Sequence, residues 1–185
     1  EVEQILDSIF KSIFKDVEKV FYQKHLDGEK IAYRLYLRKK IEDKSFDIDF
    51  SLESSGTKEI LRLIPSFVSA ASGKCVIVDE YGTRIHDVLS AKLLEAVAEQ
   101  ISGQLIMTTH NTMIMECRNL SAESLYFILD DKTFKKSVKC VTEIEERLHP
   151  NYNYRTRYLT NELYQESLPD VVGKVDLSGL VKLFK

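Results

Sequence analysis

The chain has 185 residues, a formal net charge of −3, and a composition that is 44% hydrophobic and 30% charged. That hydrophobic share supports one folded core and excludes wholesale disorder, while 7 Gly and 3 Pro exclude collagen-like and low-complexity classes. The near-balance of 26 Lys and Arg against 29 Asp and Glu excludes a generally nucleic-acid-coating protein and leaves room only for a local basic patch.

In chain order, Ile5, Leu6, Ile9, Phe10, Ile13, Phe14 and Val17 recur at helical steps and predict a helix. Asp27-Gly28 then marks a tight hairpin turn. Pairing outward from it sets Val20 and Tyr22 beside Leu35 and Tyr33, with Ile31 and Leu37 on the same face and Arg34, Tyr36 and Arg38 on the other. Phe46 to Phe50 alternates apolar residues with Asp47 and Asp49 and reads as a third strand. Ser54-Ser55-Gly56 precedes a helical pattern of Ile60, Leu61, Leu63, Ile64 and Phe67, which Gly73 ends. Cys75 to Val78 is a continuous apolar run, expected of a strand buried on both faces of a parallel sheet. A helix follows around Val88 to Ile101, with Leu89, Leu93, Leu94 and Val97 inward. Leu105 to Met107, Leu125 to Leu129 and Val138 to Ile144 are further strand candidates. Tyr154 to Leu163 is a helical candidate, and the chain ends in Leu177 to Phe184. The alternation predicts an α/β structure with a mostly parallel sheet flanked by helices and a small antiparallel hairpin region near the N-terminus. Three segments are expected: an N-terminal helix with antiparallel strands (1–50), an α/β segment (51–148) and a helical tail (149–185).

Three polar loops fall at the ends of these elements. The apolar run of Val76, Ile77 and Val78 ends in Asp79-Glu80, and in an open α/β sheet ligands bind at the carboxyl ends of strands. Consecutive strand residues point to opposite sides, so one acid can hold Mg²⁺ and the other polarise an attacking water. The plainer alternative is that both acids merely open a polar loop. Ser54-Ser55-Gly56-Thr57 opens a helix, where free amides and the positive dipole end favour an anion. Taken alone, a simple N-cap at Ser54 or Ser55 is the favoured account. Leu105-Ile106-Met107 ends in Thr108-Thr109-His110-Asn111, and histidine can hydrogen-bond a phosphate or position a water. A lone His after a strand is more often structural. The order of the three loops shifts the balance.

That order resembles the C-terminal half of an ABC-type head, a P-loop NTPase fragment. It is most similar to the stand-alone AAA-family ATPases related to SMC and OLD-type proteins, many of them in bacterial anti-phage or abortive-infection systems. Glu53-Ser54-Ser55-Gly56-Thr57-Lys58 resembles their signature loop, and Cys75 to Glu80 resembles Walker B with its adjoining Glu. Ile85-His86 resembles a step in the loop that follows, and Thr108-Thr109-His110-Asn111 resembles the switch-histidine loop. Arg155-Thr156-Arg157-Tyr158-Leu159 is a weaker echo. The resemblance implies that Asp79 supports Mg²⁺, Glu80 activates water and His110 contacts the γ-phosphate region. It also implies that Ser54, Ser55, Gly56 and Thr57 bind ATP held by a second, identical head. DNA or an effector nuclease are the further partners it suggests.

The sequence departs from that pattern in one large respect. No Gly-x-x-x-x-Gly-Lys-Ser/Thr occurs in the 185 residues. Ser72-Gly73-Lys74-Cys75 lacks the first Gly and the hydroxyl, and it precedes a strand instead of following one. The expectation is a chain that is inactive alone and needs a Walker A segment, supplied upstream or in trans. The absence of an initiator Met points the same way, to a processed chain or a piece of a longer one. Tyr81-Gly82-Thr83-Arg84 also lacks the Asp that relatives often carry there, and Thr160-Asn161-Glu162-Leu163 lacks the glycines common in the related tail.

No apolar run approaches the roughly 18 residues of a membrane span, and Glu1-Val2-Glu3-Gln4-Ile5 has no signal-peptide character. Cys75, Cys117 and Cys140 are widely spaced and fit a reducing compartment, so a cytoplasmic location is expected. Residues 19–44 hold eight Lys or Arg against four acids, with tyrosines among them. This leaves two alternatives: a nucleic-acid-binding domain, or an interaction module that keeps the ATPase fold without catalysis.

Overall fold

The computed structural model describes residues 1–28, 30–130, 135–144, 153–160 and 177. Helix α1 (Val2–Ile13) forms where the apolar spacing places it and buries Leu6 and Phe10. Strands β1 (Val17–Asp27), β2 (Lys30–Ile41) and β3 (Lys44–Asp49) follow as an antiparallel sheet in the order β1-β2-β3. The hairpin register differs from the pairing read from the sequence. Val20 lies opposite Leu37 and Tyr22 opposite Leu35, because Asp27 pairs with Lys30 and the turn sits one residue further on. Moving a turn by one residue shifts partners by two, so each face keeps its side chains. Val20 and Leu37 pack with Leu6 and Phe10. Past the reach of α1 the same face is open, with Leu26 79% exposed and Tyr33 67%.

The helix also closes the free edge of β1. The Val20 amide donates to Asp7 Oδ1 at 2.7 Å and the Tyr22 amide to Glu3 Oε2 at 2.9 Å. Glu3 and Asp7 are four residues apart, so one helical face meets two outward amides of one edge strand. On the sheet's other face Phe21 and His25 both stack on Tyr36, at 5.8 and 5.9 Å between centroids. Both arginines there have acidic partners: Arg38 makes two hydrogen bonds to Asp47, and Arg34 lies 3.9 Å from Asp49.

Helix α2 (Ser55–Ala71) lies between two cores. Ile60, Leu63 and Phe67 face one core with Val78, Tyr81, Ile85 and Leu94, while Leu61 and Ile64 pack on the hairpin core. The helix ends at Gly73, φ +86°, with Gly73 N returning to Ala70 O at 3.2 Å and Lys74 N to Ser69 O at 3.1 Å. Ser72-Gly73-Lys74 is thus a helix terminus leading into a strand.

Strand β4 (Cys75–Val78), helix α3 (Asp87–Ala98) and strand β5 (Gln104–Met107) form a β–α–β unit in which β4 and β5 pair in parallel. Most buried on α3 are Ser90, Ala91 and Leu94, with Leu89, Leu93 and Val97 packed at the margin of the core. Strands β6 (Tyr126–Asp130) and β7 (Lys136–Cys140) form a separate antiparallel pair, followed by α4 (Val141–Ile144) and α5 (Tyr154–Leu159). Tyr158 of α5 stacks on Phe127 at 5.6 Å.

The fold is therefore mixed α/β, and the expectation of a mostly parallel sheet is corrected. Among the described residues two of three sheets are antiparallel, and β4–β5 is the parallel pair. The run from Leu125 to Leu129 looked continuously apolar, yet Tyr126 and Ile128 are 64% and 66% exposed while Phe127 is buried. Such alternation belongs to a hairpin with one wet face. The predicted strand from Val138 to Ile144 becomes helical at Val141. Nor is β4 buried on both faces: Val78 is buried, but Ile77 is 73% exposed and its neighbour Ile106 45%. Lys132, His149, Pro150, Asn161 to Leu163 and the terminal run after Leu177 lie outside the described residues. No helix among those described is long and apolar enough to cross a membrane.

Burial would raise the Asp7 carboxyl, but hydrogen bonds from Lys11 and Val20 outweigh it and hold the group below its ordinary value. A carboxylate held low stabilises the fold above the ordinary carboxylate range, and that contribution is lost as pH falls through the lowered value. Asp7→Ala is expected to cost about 1–2 kcal/mol at neutral pH. The gap to the unaltered chain should begin to narrow below about pH 4 and close only beneath the lowered value, as read by urea unfolding.

Candidate functional site

The site grows out of the ends of β4 and β5. Their ladder continues past both strands, with Thr108 N donating to Val78 O at 3.1 Å and Tyr81 N to Thr108 O at 2.8 Å. Between these bonds sits the Thr108 hydroxyl. It donates to Asp79 Oδ1 at 2.5 Å and accepts from the Glu80 amide at 2.9 Å. One hydroxyl thereby sets the direction of one acid and the backbone of the next. Glu80 stands at φ +54°, a left-handed conformation that is uncommon for a residue with a side chain. Thr83 holds the far side of that turn, its hydroxyl donating to Glu80 O at 2.7 Å. Asp79, Glu80 and His110 are all exposed. Such backbone strain at an acid that ends a parallel strand is the kind that accompanies functional sites.

The start of α2 approaches the same region. Ser54 is its N-cap: Ser54 Oγ accepts from Thr57 N at 3.1 Å and lies 2.9 Å from Thr57 Oγ1. The plain capping role is therefore real, and it uses Ser54 and the buried Thr57. The amides of Ser55 and Gly56 begin the helix and have no place in its internal ladder. Gly56 is required for a different reason. A Cβ there would lie 2.9 Å from Arg84 O, so the first turn of α2 packs backbone to backbone against the loop that follows Glu80. Two loops that the sequence showed only as separate motifs are joined at this contact. One turn on, Glu59 is buried and bonded to Arg62, and that hydrogen bond holds the Glu59 carboxyl below its ordinary value.

His110 follows β5, and its neighbours anchor it. Thr109 Oγ1 donates to Tyr81 O at 2.7 Å, and the buried Asn111 caps the short turn Thr112–Glu116 through Met113 N. Arg155 of α5 reaches this turn at Thr112 Oγ1 and Glu116, so it meets an acidic loop. His86 is the N-cap residue of α3 with no side-chain cap bond. Thr108, which the sequence placed in the His110 loop without giving it a role, does most to organise the site. Its own signal was a hydroxyl directly after an apolar strand, which becomes informative once the partner strand is known.

Among the described residues no group of three or more His, Cys, Asp and Glu could hold a metal by itself. Asp79 offers one oxygen beyond the one that Thr108 occupies. This donor set suits Mg²⁺, which keeps several waters and takes one or two carboxylates plus substrate phosphates. Cys117 is buried against Ala91 O, and burial, aided by Glu95 and Glu116, pushes its thiol up to about 11. Cys75 is exposed on the open face of β4.

A parallel β–α–β unit with acids, hydroxyls and a histidine at the carboxyl ends of its strands is the layout of an α/β ligand-binding domain. The model of the family described as "AAA domain, putative AbiEii toxin, Type IV TA system" matches residues 3–116, well over half of the chain, and the chain belongs to that AAA domain family. It is thus an ATPase-related domain of nucleotide-binding type. No curated protein matches the chain.

Iodoacetamide at about pH 8 should alkylate Cys75 in the folded 185-residue chain and leave Cys117 unmodified until denaturant is added. Peptide mass spectrometry reads both sites; early labelling of Cys117 would mean that the α3 core is looser than described.

Proposed function

We propose that this chain is the signature, Walker B and switch-histidine half of an ABC-type ATPase head, and that the complete protein hydrolyses ATP through dimerisation of two such heads. The observation that carries the reading is the joining of three loops at the ends of β4 and β5. Thr108 ties Asp79 and Glu80 to the strand that leads to His110, and Gly56 packs the α2 N-terminus on the loop after Glu80. In this reading residues 1–50 are an appendage, 51–148 the catalytic half and 149–185 a tail.

Bound Mg²⁺–ATP supplies the electrophilic phosphorus and its neutralising cation. The chain supplies the positioning that phosphoryl transfer mostly requires. Asp79 would hold Mg²⁺, directly or through a water, with Thr108 fixing the direction of its carboxylate. The Glu80 carboxylate orients water and takes up its proton. His110 donates a hydrogen bond toward the γ-phosphate region. Ser54, Ser55, Gly56 and Thr57 present a helix start to the nucleotide on the opposite head.

The open face of the parallel pair among the described residues is consistent with a further layer in this reading. Parallel sheets are covered on both faces, yet Ile77 and Ile106 project from one face of β4–β5 into solvent. In this reading a Walker A-bearing segment, in the same polypeptide or in a second chain, would cover that face and bring the phosphate contacts of the absent Gly-x-x-x-x-Gly-Lys-Ser/Thr motif. The family description names a putative AbiEii toxin and a Type IV TA system; the reading adds to it a cytoplasmic anti-phage or abortive-infection role. DNA or an effector nuclease would be the downstream partner.

In the complete protein, Glu80→Gln should leave ATP binding intact, lower turnover by about 10²–10⁴-fold and stabilise the dimer. Unchanged turnover removes Glu80 from the reaction. Ser54→Arg should spare ATP binding and block dimerisation. An ATP-dependent dimer of normal strength in light scattering contradicts the role given to the α2 start.

A further inference from the structure

Behind the exposed site lies a closed ring of four residues. Thr109 Oγ1 donates to Tyr81 O at 2.7 Å and accepts from the Asn111 amide at 3.1 Å. Asn111 Nδ2 donates to Ser90 Oγ at 2.6 Å and to Asp87 O at 2.9 Å. The Tyr81 hydroxyl closes the circuit by donating to Ser90 O at 2.8 Å. Ser90 and Tyr81 are 0% exposed and Asn111 9%, so the bonds that Tyr81 and Asn111 make to Ser90 are shielded from competing water, while Thr109 closes the ring at its exposed rim. Burial also pushes the Tyr81 hydroxyl up, which keeps it protonated and able to donate.

The ring's place in the chain gives it its meaning. Glu80 immediately precedes Tyr81, and His110 lies between Thr109 and Asn111. Both exposed residues are therefore carried on backbone whose next residue is locked into the ring, and the ring is bolted to α3 through Ser90. A core helix has no packing need for a fully buried serine at this position. An alanine would fill nearly the same space and leave Asn111 short of a partner.

We propose that Tyr81, Ser90, Thr109 and Asn111 are positioning residues that hold Glu80 and His110 in fixed relation across the ends of β4 and β5. The proposal rests on the ATPase reading for what the two residues do, and on the ring alone for how they are held. A misplacement of about 1 Å can cost on the order of a hundredfold in rate. Opening the ring should therefore act on turnover and not on nucleotide affinity.

The test uses the complete polypeptide that carries this chain, with Tyr81→Phe and Asn111→Ala. Tyr81→Phe is the cleaner variant, since it removes one hydroxyl, keeps the ring shape and leaves Ser90 O its helical partner. The expected result has three parts. Tm should change little in Tyr81→Phe. Amide hydrogen exchange should quicken about tenfold or more at residues 80–83 and 109–111, but not in β1–β2. The kcat should fall on the order of tenfold at unchanged KM for ATP. Exchange that stays at the parent rate in both loops overturns the proposal whatever the kinetics. If Glu80→Gln abolishes turnover while both ring variants keep full kcat, the positioning role falls and the ATPase reading stands. Quickened exchange together with full turnover in Glu80→Gln removes the catalytic reading and with it the role proposed for the ring.

Discussion

One hydroxyl stands at the centre of this structure. Thr108 lies just past β5, accepts the amide of Glu80 and donates to the carboxylate of Asp79. It does so because β4 and β5 run in parallel with their ends level, Val78 opposite Met107. A slip of one residue would turn the Thr108 side chain to the other face of the sheet. The left-handed backbone of Glu80, a conformation worth about 1–3 kcal/mol of strain where a structure enforces it, is held by that amide contact and by Thr83. The exposed acid is thus the visible end of an over-determined turn.

Helix α2 carries this constraint outward. Its inner residues pack on the α/β core, while Leu61 and Ile64 pack on the hairpin core. Just before its N-cap, Glu53 forms a nearly buried ion pair with Lys39 of β2 at 2.8 Å. At its first turn Gly56 meets Arg84 O. A short chain of contacts therefore runs from the antiparallel sheet through the start of α2 to the loop after Glu80. Removing either partner of the Lys39–Glu53 pair would leave a poorly solvated charge beside the cap, which is costlier than losing a surface pair.

The sheets show an asymmetry of the same origin. In the hairpin, α1 satisfies the outer edge of β1 and covers the proximal face, so that part of the sheet is finished. The β4–β5 pair has one finished face and one that presents Ile77 and Ile106 to solvent. Short parallel strands gain little from two-stranded pairing alone, and their stability comes from the layers packed on them. The buried layer here is supplied by α2 and α3, and the ring through Ser90 rivets α3 to both strand-end loops.

Much of the local structure was legible in the residues. The apolar spacing of α1, the Gly73 terminus of α2 and the Ser54 cap depend on neighbours within a few positions, so the sequence by itself determined them. It also determined that polar loops carrying Asp79, Glu80 and His110 follow short apolar runs. The hairpin faces were readable while the register was not, since faces depend on a two-residue period and register on where the turn settles. The pairing of β6 with β7 was misread because an apolar run reports burial without reporting strand direction. Only the tertiary structure decided which loops meet. Thr108 with Glu80, Asn111 with Ser90 and Gly56 with Arg84 are each more than twenty residues apart, and no local pattern encodes a contact that exists only once β4 and β5 have paired.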